Sequence, residues 1–199
     1  MTEEEWLMAR EPQGLLRYLR QTHGVGRSKA GRRRLRLVSC GCCRLIWKHL
    51  NNKLQQAVEI SERYADNSAL AKEIQAAREA AEPSAASYSA DSPHAQESTT
   101  VALAWATTRQ KPIEAALYSM CWPMPLAGHV GPPDIANGLI CHIIRDIFGN
   151  PFRSVTLNPT WRTSTVLALA NGIYQEKAFD RMPILADALQ EASLRLPLK

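Results

Sequence analysis

A chain of 199 residues, 45% hydrophobic and 22% charged, holds enough apolar material to bury a core, which excludes a wholly disordered polypeptide. No apolar run reaches the roughly 18 residues of a membrane span. The acidic opening Met1-Thr2-Glu3-Glu4-Glu5 is the reverse of a secretory signal, and five cysteines, an odd number, read as reduced thiols, so a cytoplasmic protein with no membrane partner is expected. The formal net charge of +5 is unevenly placed. Residues 1–50 hold eleven basic against four acidic side chains, and residues 51–100 four against eight.

The pattern along the chain is helical throughout, with no alternating β-branched stretch. Thr2 is placed to cap a short first helix with Glu3, Glu4 and Glu5 in its first turn. Pro12 opens a second helix carrying Leu15, Leu16 and Leu19. Gly24–Gly31 reads as a loop. A long central helix is expected over Arg32–Leu50. On a 100° wheel Leu35, Val38, Cys40, Cys42, Cys43, Leu45, Ile46, Trp47 and Leu50 fill more than half its circumference, with Arg36, Ser39 and His49 inside the arc and Arg44 and Lys48 outside it. Asn51 and Asn52 end it. Helices follow over 53–66 and Ser68–Glu82, the latter stopped by Pro83.

Residues 83–98, rich in Ser, Ala and Pro, read as a flexible internal linker. Helix resumes over Thr99–Arg109, and a short helix is expected from Pro112 to Met120. Prolines then bracket an irregular segment containing Trp122. Asp134 is expected to cap a helix ending at Phe148, with an apolar stripe of Ile135, Leu139, Ile143 and Ile147 widened by Ile140 and Ile144. Asn158-Pro159 caps and opens the next helix, and Asp180 and Pro183 open the last. The expected fold is one all-α domain over 1–199, an irregular bundle of about seven to nine helices.

Several strings form a recognisable set: Cys40-Gly41-Cys42-Cys43-Arg44-Leu45-Ile46-Trp47, Glu62-Arg63-Tyr64-Ala65-Asp66, and Arg145-Asp146-Ile147-Phe148-Gly149-Asn150-Pro151-Phe152-Arg153. With Thr2 to Leu7 and Phe179 to Leu189, they resemble a family of planctomycete bacterial proteins of uncharacterised activity. The resemblance spans most of the chain and carries no catalytic residue. It implies a C-terminal tail holding further Cys and His residues. This sequence departs at Ser193, so that tail is expected to be missing and Leu185 and Leu189 to be exposed.

Three groups of residues bear on chemistry. Cys40 and Cys43 lie three apart on one helix and could hold zinc if Cys141 and His142 completed a tetrahedral set; core packing of small apolar thiols is the competing reading. Arg32, Arg33, Arg34 and Arg36, within the basic segment Arg27–Arg36, form a candidate anion or nucleic-acid surface, since cations at a helix start need an offsetting anion. Asp146 falls within an apolar arc, so it is expected to be buried and paired with Arg153 as a structural ion pair. No phosphate-loop, dinucleotide or H-E-x-x-H motif is present. The sequence therefore leans away from an enzyme. It favours an interaction or accessory module with an unidentified protein partner, met either near Trp122 or at the arginines; zinc and nucleic-acid binding are the alternatives.

Overall fold

The computed structural model describes residues 1–85, 102–111, 129–153 and 157–194. Among these, eight α-helices are bounded: α1 (Glu3–Met8), α2 (Pro12–His23), α3 (Lys29–Leu45), α4 (Asn52–Ala65), α5 (Ala71–Ala85), α6 (Pro133–Phe148), α7 (Ser164–Glu176) and α8 (Met182–Leu194). Residues 102–107 are also helical and no described residue is in a strand. The fold is all-α, as the sequence pattern requires. Where the sequence suggests one domain, the chain divides into two compact units, Met1–Phe152 and Arg153–Lys199.

In the first unit, α1 is closed at its start by a reciprocal cap. The Thr2 hydroxyl accepts from the Glu5 N–H at 3.1 Å, and the Glu5 carboxylate accepts from the Thr2 N–H at 2.7 Å. Its far end is held by α6. Arg145 donates from Nε to the Trp6 carbonyl at 3.0 Å and from Nη2 to the Ala9 carbonyl, and the Trp6 ring is fully buried. α2 begins on Pro12 and ends at Gly24, whose left-handed backbone (φ 55°) stops the helix.

α3 is the centre of the unit, packed by α4 and α6. It starts three residues earlier than the sequence pattern indicates because Ser28 caps it, its hydroxyl accepting from the Gly31 N–H at 2.9 Å. It also ends earlier. After Leu45 the chain tightens into a 3-10 turn over Trp47–His49, so the 100° wheel loses phase there and His49 is exposed, not buried. Up to Leu45 the wheel holds: Leu35, Val38, Cys40, Cys42 and Cys43 are buried, as are Arg36 and Ser39, while Arg44 is exposed. Asn51 caps α4 instead of ending α3; its Oδ1 accepts from the Leu54 N–H at 3.1 Å.

Other boundaries shift for equally local reasons. Asn67 takes a left-handed conformation (φ 57°), and the Glu73 carboxylate accepts from the Leu70 N–H at 2.7 Å. α5 therefore opens at Ala71, not Ser68. It runs past Pro83 to Ala85: a proline in a last turn forfeits one N–H bond without ending the helix there. The linker expected over 83–98 thus starts no earlier than residue 86, and 86–98 lies outside the described residues, as do the helix expected over 112–120 and the Trp122 segment. α6 starts at Pro133, with Asp134 inside its first turn instead of capping it. Its buried face is Ala136, Ile140, Cys141 and Ile144. The expected stripe is the shoulder of that face, and Ile135 is half exposed.

The second unit is a helix pair with a thin interior. Asn158 caps only a 3-10 turn, Pro159–Trp161. α7 is capped by Thr163, whose hydroxyl accepts from the Val166 N–H at 3.2 Å. α8 follows a 3-10 turn, Phe179–Arg181, with Pro183 in its first turn. Val166, Ile173 and Ala192 are buried, while Phe179, Met182, Ile184 and Leu194 are at least half exposed. Leu185 and Leu189 are half-buried, not exposed as expected. Among the described residues no helix is long and apolar enough to cross a membrane.

Two glycines of the first unit differ in what they allow. A Cβ on Gly31 would lie 2.0 Å from the Val25 carbonyl oxygen, whereas one on Gly138 would meet nothing within 4 Å. Gly31→Ala is expected to lower stability by about 2 kcal/mol or more through backbone displacement. Gly138→Ala, in a helix interior, is expected to raise it by about 0.5–1 kcal/mol. Urea midpoints of the two variants against the parent chain check the contrast.

Candidate functional site

The arginines that are adjacent in sequence part company in space. α3 turns 100° per residue, so Arg32, Arg33, Arg34 and Arg36 leave it in different directions. Arg34 lies over the Phe148 ring, 5.9 Å from its centroid. Arg33 turns toward the end of α4, where Asp66 accepts from its Nη2 at 2.5 Å and its Nε at 3.1 Å. Arg32 donates to the Arg27 carbonyl at 2.7 Å and makes no ion pair among the described residues. Lys29, exposed one residue after the cap, likewise has no ion-pair partner among the described residues.

Arg36 is only 3% exposed. Its Nη1 donates to the Thr107 carbonyl and its Nη2 to the Arg109 carbonyl, the latter at 2.9 Å. These carbonyls close the helical turn at 102–107, a position where a cation meets the negative end of the helix dipole. The guanidinium also sits 5.2 Å from the centre of the Tyr64 ring. Thr107 reinforces the junction, its hydroxyl lying 3.0 Å from the Ser61 hydroxyl of α4. No carboxylate among the described residues pairs with Arg36. Burial lowers its pKa from the ordinary arginine value, with Cys40 and Tyr64 acting the other way. Arg36 therefore belongs to the interior of the fold, not to an exposed arginine surface as the sequence suggests.

Between the start of α3, the end of α4 and Gln110 lies a cleft of about 650 Å³. Lys29, Arg32, Arg33 and Arg36 line it, with Tyr64 and Asn67 from the far side, and among the described residues no carboxylate is in its lining. The first turn of α3 adds its own positive end. Lys29 lies within the basic segment that the sequence marks, while Tyr64, Asn67 and Gln110 are the lining residues that a search for basic runs passes over. Only the left-handed turn implied by Asp66-Asn67 between two helical stretches signals one of them.

The cysteines tell a different story. Cys40, Cys42, Cys43 and Cys141 are all buried and free, and His142, the next residue along α6, is exposed. Cys141 and His142 face different ways, so the expected set of Cys40, Cys43, Cys141 and His142 is not gathered; among the described residues no three His, Cys, Asp or Glu side chains group to hold a metal. Burial pushes the Cys42 thiol up to about 12 and Cys141 to about 11, and raises Cys40 and Cys43 as well. Such thiols resist the deprotonation that metal binding requires.

Asp146 is exposed, so the premise of a buried carboxylate needing Arg153 is overturned. On the wheel it falls within the arc, between Ile135 and Leu139, but that side is only the shoulder of the buried face of α6, and Ile135 beside it is half exposed. The neighbouring Arg145 makes the structural link instead, to α1. Arg153 begins the second unit.

Neither protein-family models, nor curated proteins, nor solved structures contain a match to this chain.

The thiols make stability depend on alkaline pH. Their folded pKa values exceed the unfolded value, so the stability they confer is complete below about pH 9 and is lost as pH rises toward 11–12, where the folded thiols ionise. The urea midpoint should fall steeply between pH 9 and 10.5, each thiol contributing about 1.4 kcal/mol per pH unit. Cys42→Ala should show a shallower fall than the parent chain.

Proposed function

We propose that this protein is a non-enzymatic binding module that engages an anionic partner group through the cleft at the start of α3. One observation carries this reading. Among the described residues the cleft is lined by four basic side chains, one of them the buried Arg36, and by no carboxylate. Arg36 has carbonyl acceptors but no carboxylate among the described residues, and an anion arriving from outside would supply the counter-charge to the basic group as a whole. Asp66 pairs with Arg33, whereas Lys29 and Arg32 have no ion-pair partner among the described residues and stand at the cleft for the partner group.

An extended nucleic-acid surface draws less support from the same residues. Tracking a polymer needs a continuous basic stripe, and Arg34 lies over Phe148 while Arg33 is tied to Asp66. A zinc protein draws less still, since Cys40, Cys43, Cys141 and His142 do not come together and no other such group is gathered among the described residues. Four buried free thiols suit a reducing, cytoplasmic setting.

Inorganic tripolyphosphate, titrated calorimetrically at low salt, tests the reading. Binding should weaken at least tenfold in the Lys29→Glu/Arg32→Glu variant and stay unchanged in Arg34→Glu. Equal losses in both variants, or no binding by the parent chain, would overturn it.

A further inference from the structure

The composition of the cleft narrows the anion to a class. We infer that it takes a nucleoside diphosphate, with the phosphates against Lys29, Arg32 and Arg36 and the base against Tyr64, Asn67 and Gln110. This rests on the anion-binding reading above and goes one step further.

Three features support it. A cleft of about 650 Å³ lies within the roughly 300–1,000 Å³ range of small-ligand sites. Three of its cations, Lys29, Arg32 and Arg36, pair with no carboxylate among the described residues. A phosphoryl group carries about −1.5 to −2 when terminal, so two linked phosphoryls match these cations, whereas a polymer would leave most of its charge unmet. The rest of the lining is unlike a pure anion hole. Tyr64 brings an aromatic surface, and Asn67 and Gln110 bring side-chain amides. Each amide offers both donors and an acceptor, the mixed pattern found along the edge of a nucleobase. An inorganic anion would make no use of any of these three. Arg36 links the halves, because it lines the cleft and lies over the Tyr64 ring.

The experiment compares ADP, inorganic pyrophosphate and a 20-residue oligothymidylate by calorimetry at two salt concentrations, with the full chain. ADP should bind at least tenfold more tightly than pyrophosphate. Tyr64→Leu should erase that advantage, weakening ADP by more than it weakens pyrophosphate, which loses only the ring support of Arg36, and Lys29→Ala/Arg32→Ala, at exposed positions, should weaken both ligands. If Tyr64→Leu fails to melt cooperatively, Asn67→Gly, which tolerates the left-handed backbone there, and Gln110→Ala take its place, each expected to reduce ADP binding severalfold and pyrophosphate binding not at all. Pyrophosphate binding as tightly as ADP would overturn this inference and leave the anion-binding reading standing. Oligothymidylate binding more tightly than ADP, with a salt dependence corresponding to more than about three phosphates, would overturn it in favour of a polymer. Absence of binding by all three would remove both readings.

Discussion

The guanidinium of Arg36 is the hinge of the first unit. Withdrawing such a cation from water costs several kcal/mol, and two carbonyls and an aromatic face are what the protein sets against that cost. Charged hydrogen bonds of this kind contribute about 1.5–3 kcal/mol each, and a desolvated cation–π contact up to about 2. The exchange is close to even, so Arg36 acts less as a source of stability than as a constraint on geometry. It fixes where residues 102–109 meet α3 and α4, and thereby sets the wall and the depth of the cleft.

Around that point the charges sort themselves by face. The basic excess of the first quarter of the chain meets the acidic excess of the second along the α3–α4 seam, through Arg33 with Asp66 and Arg44 with Glu62. Arg63 and Glu73 continue the series into α5. Exposed pairs of this sort contribute only about 0.2–1 kcal/mol each, but they decide which cations are spent. Lys29 and Arg32, at the mouth of the cleft, are left over. The opposite face of α3 packs so closely on α6 that a Cβ on Gly41 would come within 2.9 Å of the Ile143 side chain. Small thiols at Cys40, Cys42 and Cys43 suit a helix hemmed in from several sides.

Much of this was legible in the residues. Thr2, Pro12 and the apolar arc from Leu35 to Leu45 each do locally what their chemistry favours, and the structure follows them. The arc even contained Arg36 and Ser39, although burial of an arginine runs against its type. Where the pattern misled, a competing local signal had won. Ser28 caps α3 ahead of the arginines, and Thr163 starts the helix that Asn158-Pro159 seemed to open. The α6 stripe was displaced because isoleucines fill both its buried face and its shoulder, so periodicity could not separate them. The cleft was half visible. Its cations stood out as a run, but the partition of that run by Asp66, Phe148 and the carbonyls of Thr107 and Arg109 depends on residues 33 to 114 positions away. No spacing rule reaches that far, and Tyr64 and Gln110 carried no mark of their role.

The attachment of α1 has a consequence of its own. A helix of six residues is far shorter than the roughly 12–15 needed to persist alone in water, so it is helical only while docked. Its seat is the Trp6 ring, the two bonds from Arg145 to the Trp6 and Ala9 carbonyls, and the bond that the Asn150 amide donates to the Glu3 carboxylate at 2.6 Å. Release of that seat lets the segment melt as one unit, at a free energy below that of global unfolding. Its amides would then exchange with solvent as a group, ahead of those in α3, and the indole emission would shift to the red while the rest of the first unit stayed folded. The amino-terminal turn is thus a built-in reporter of breathing in this protein.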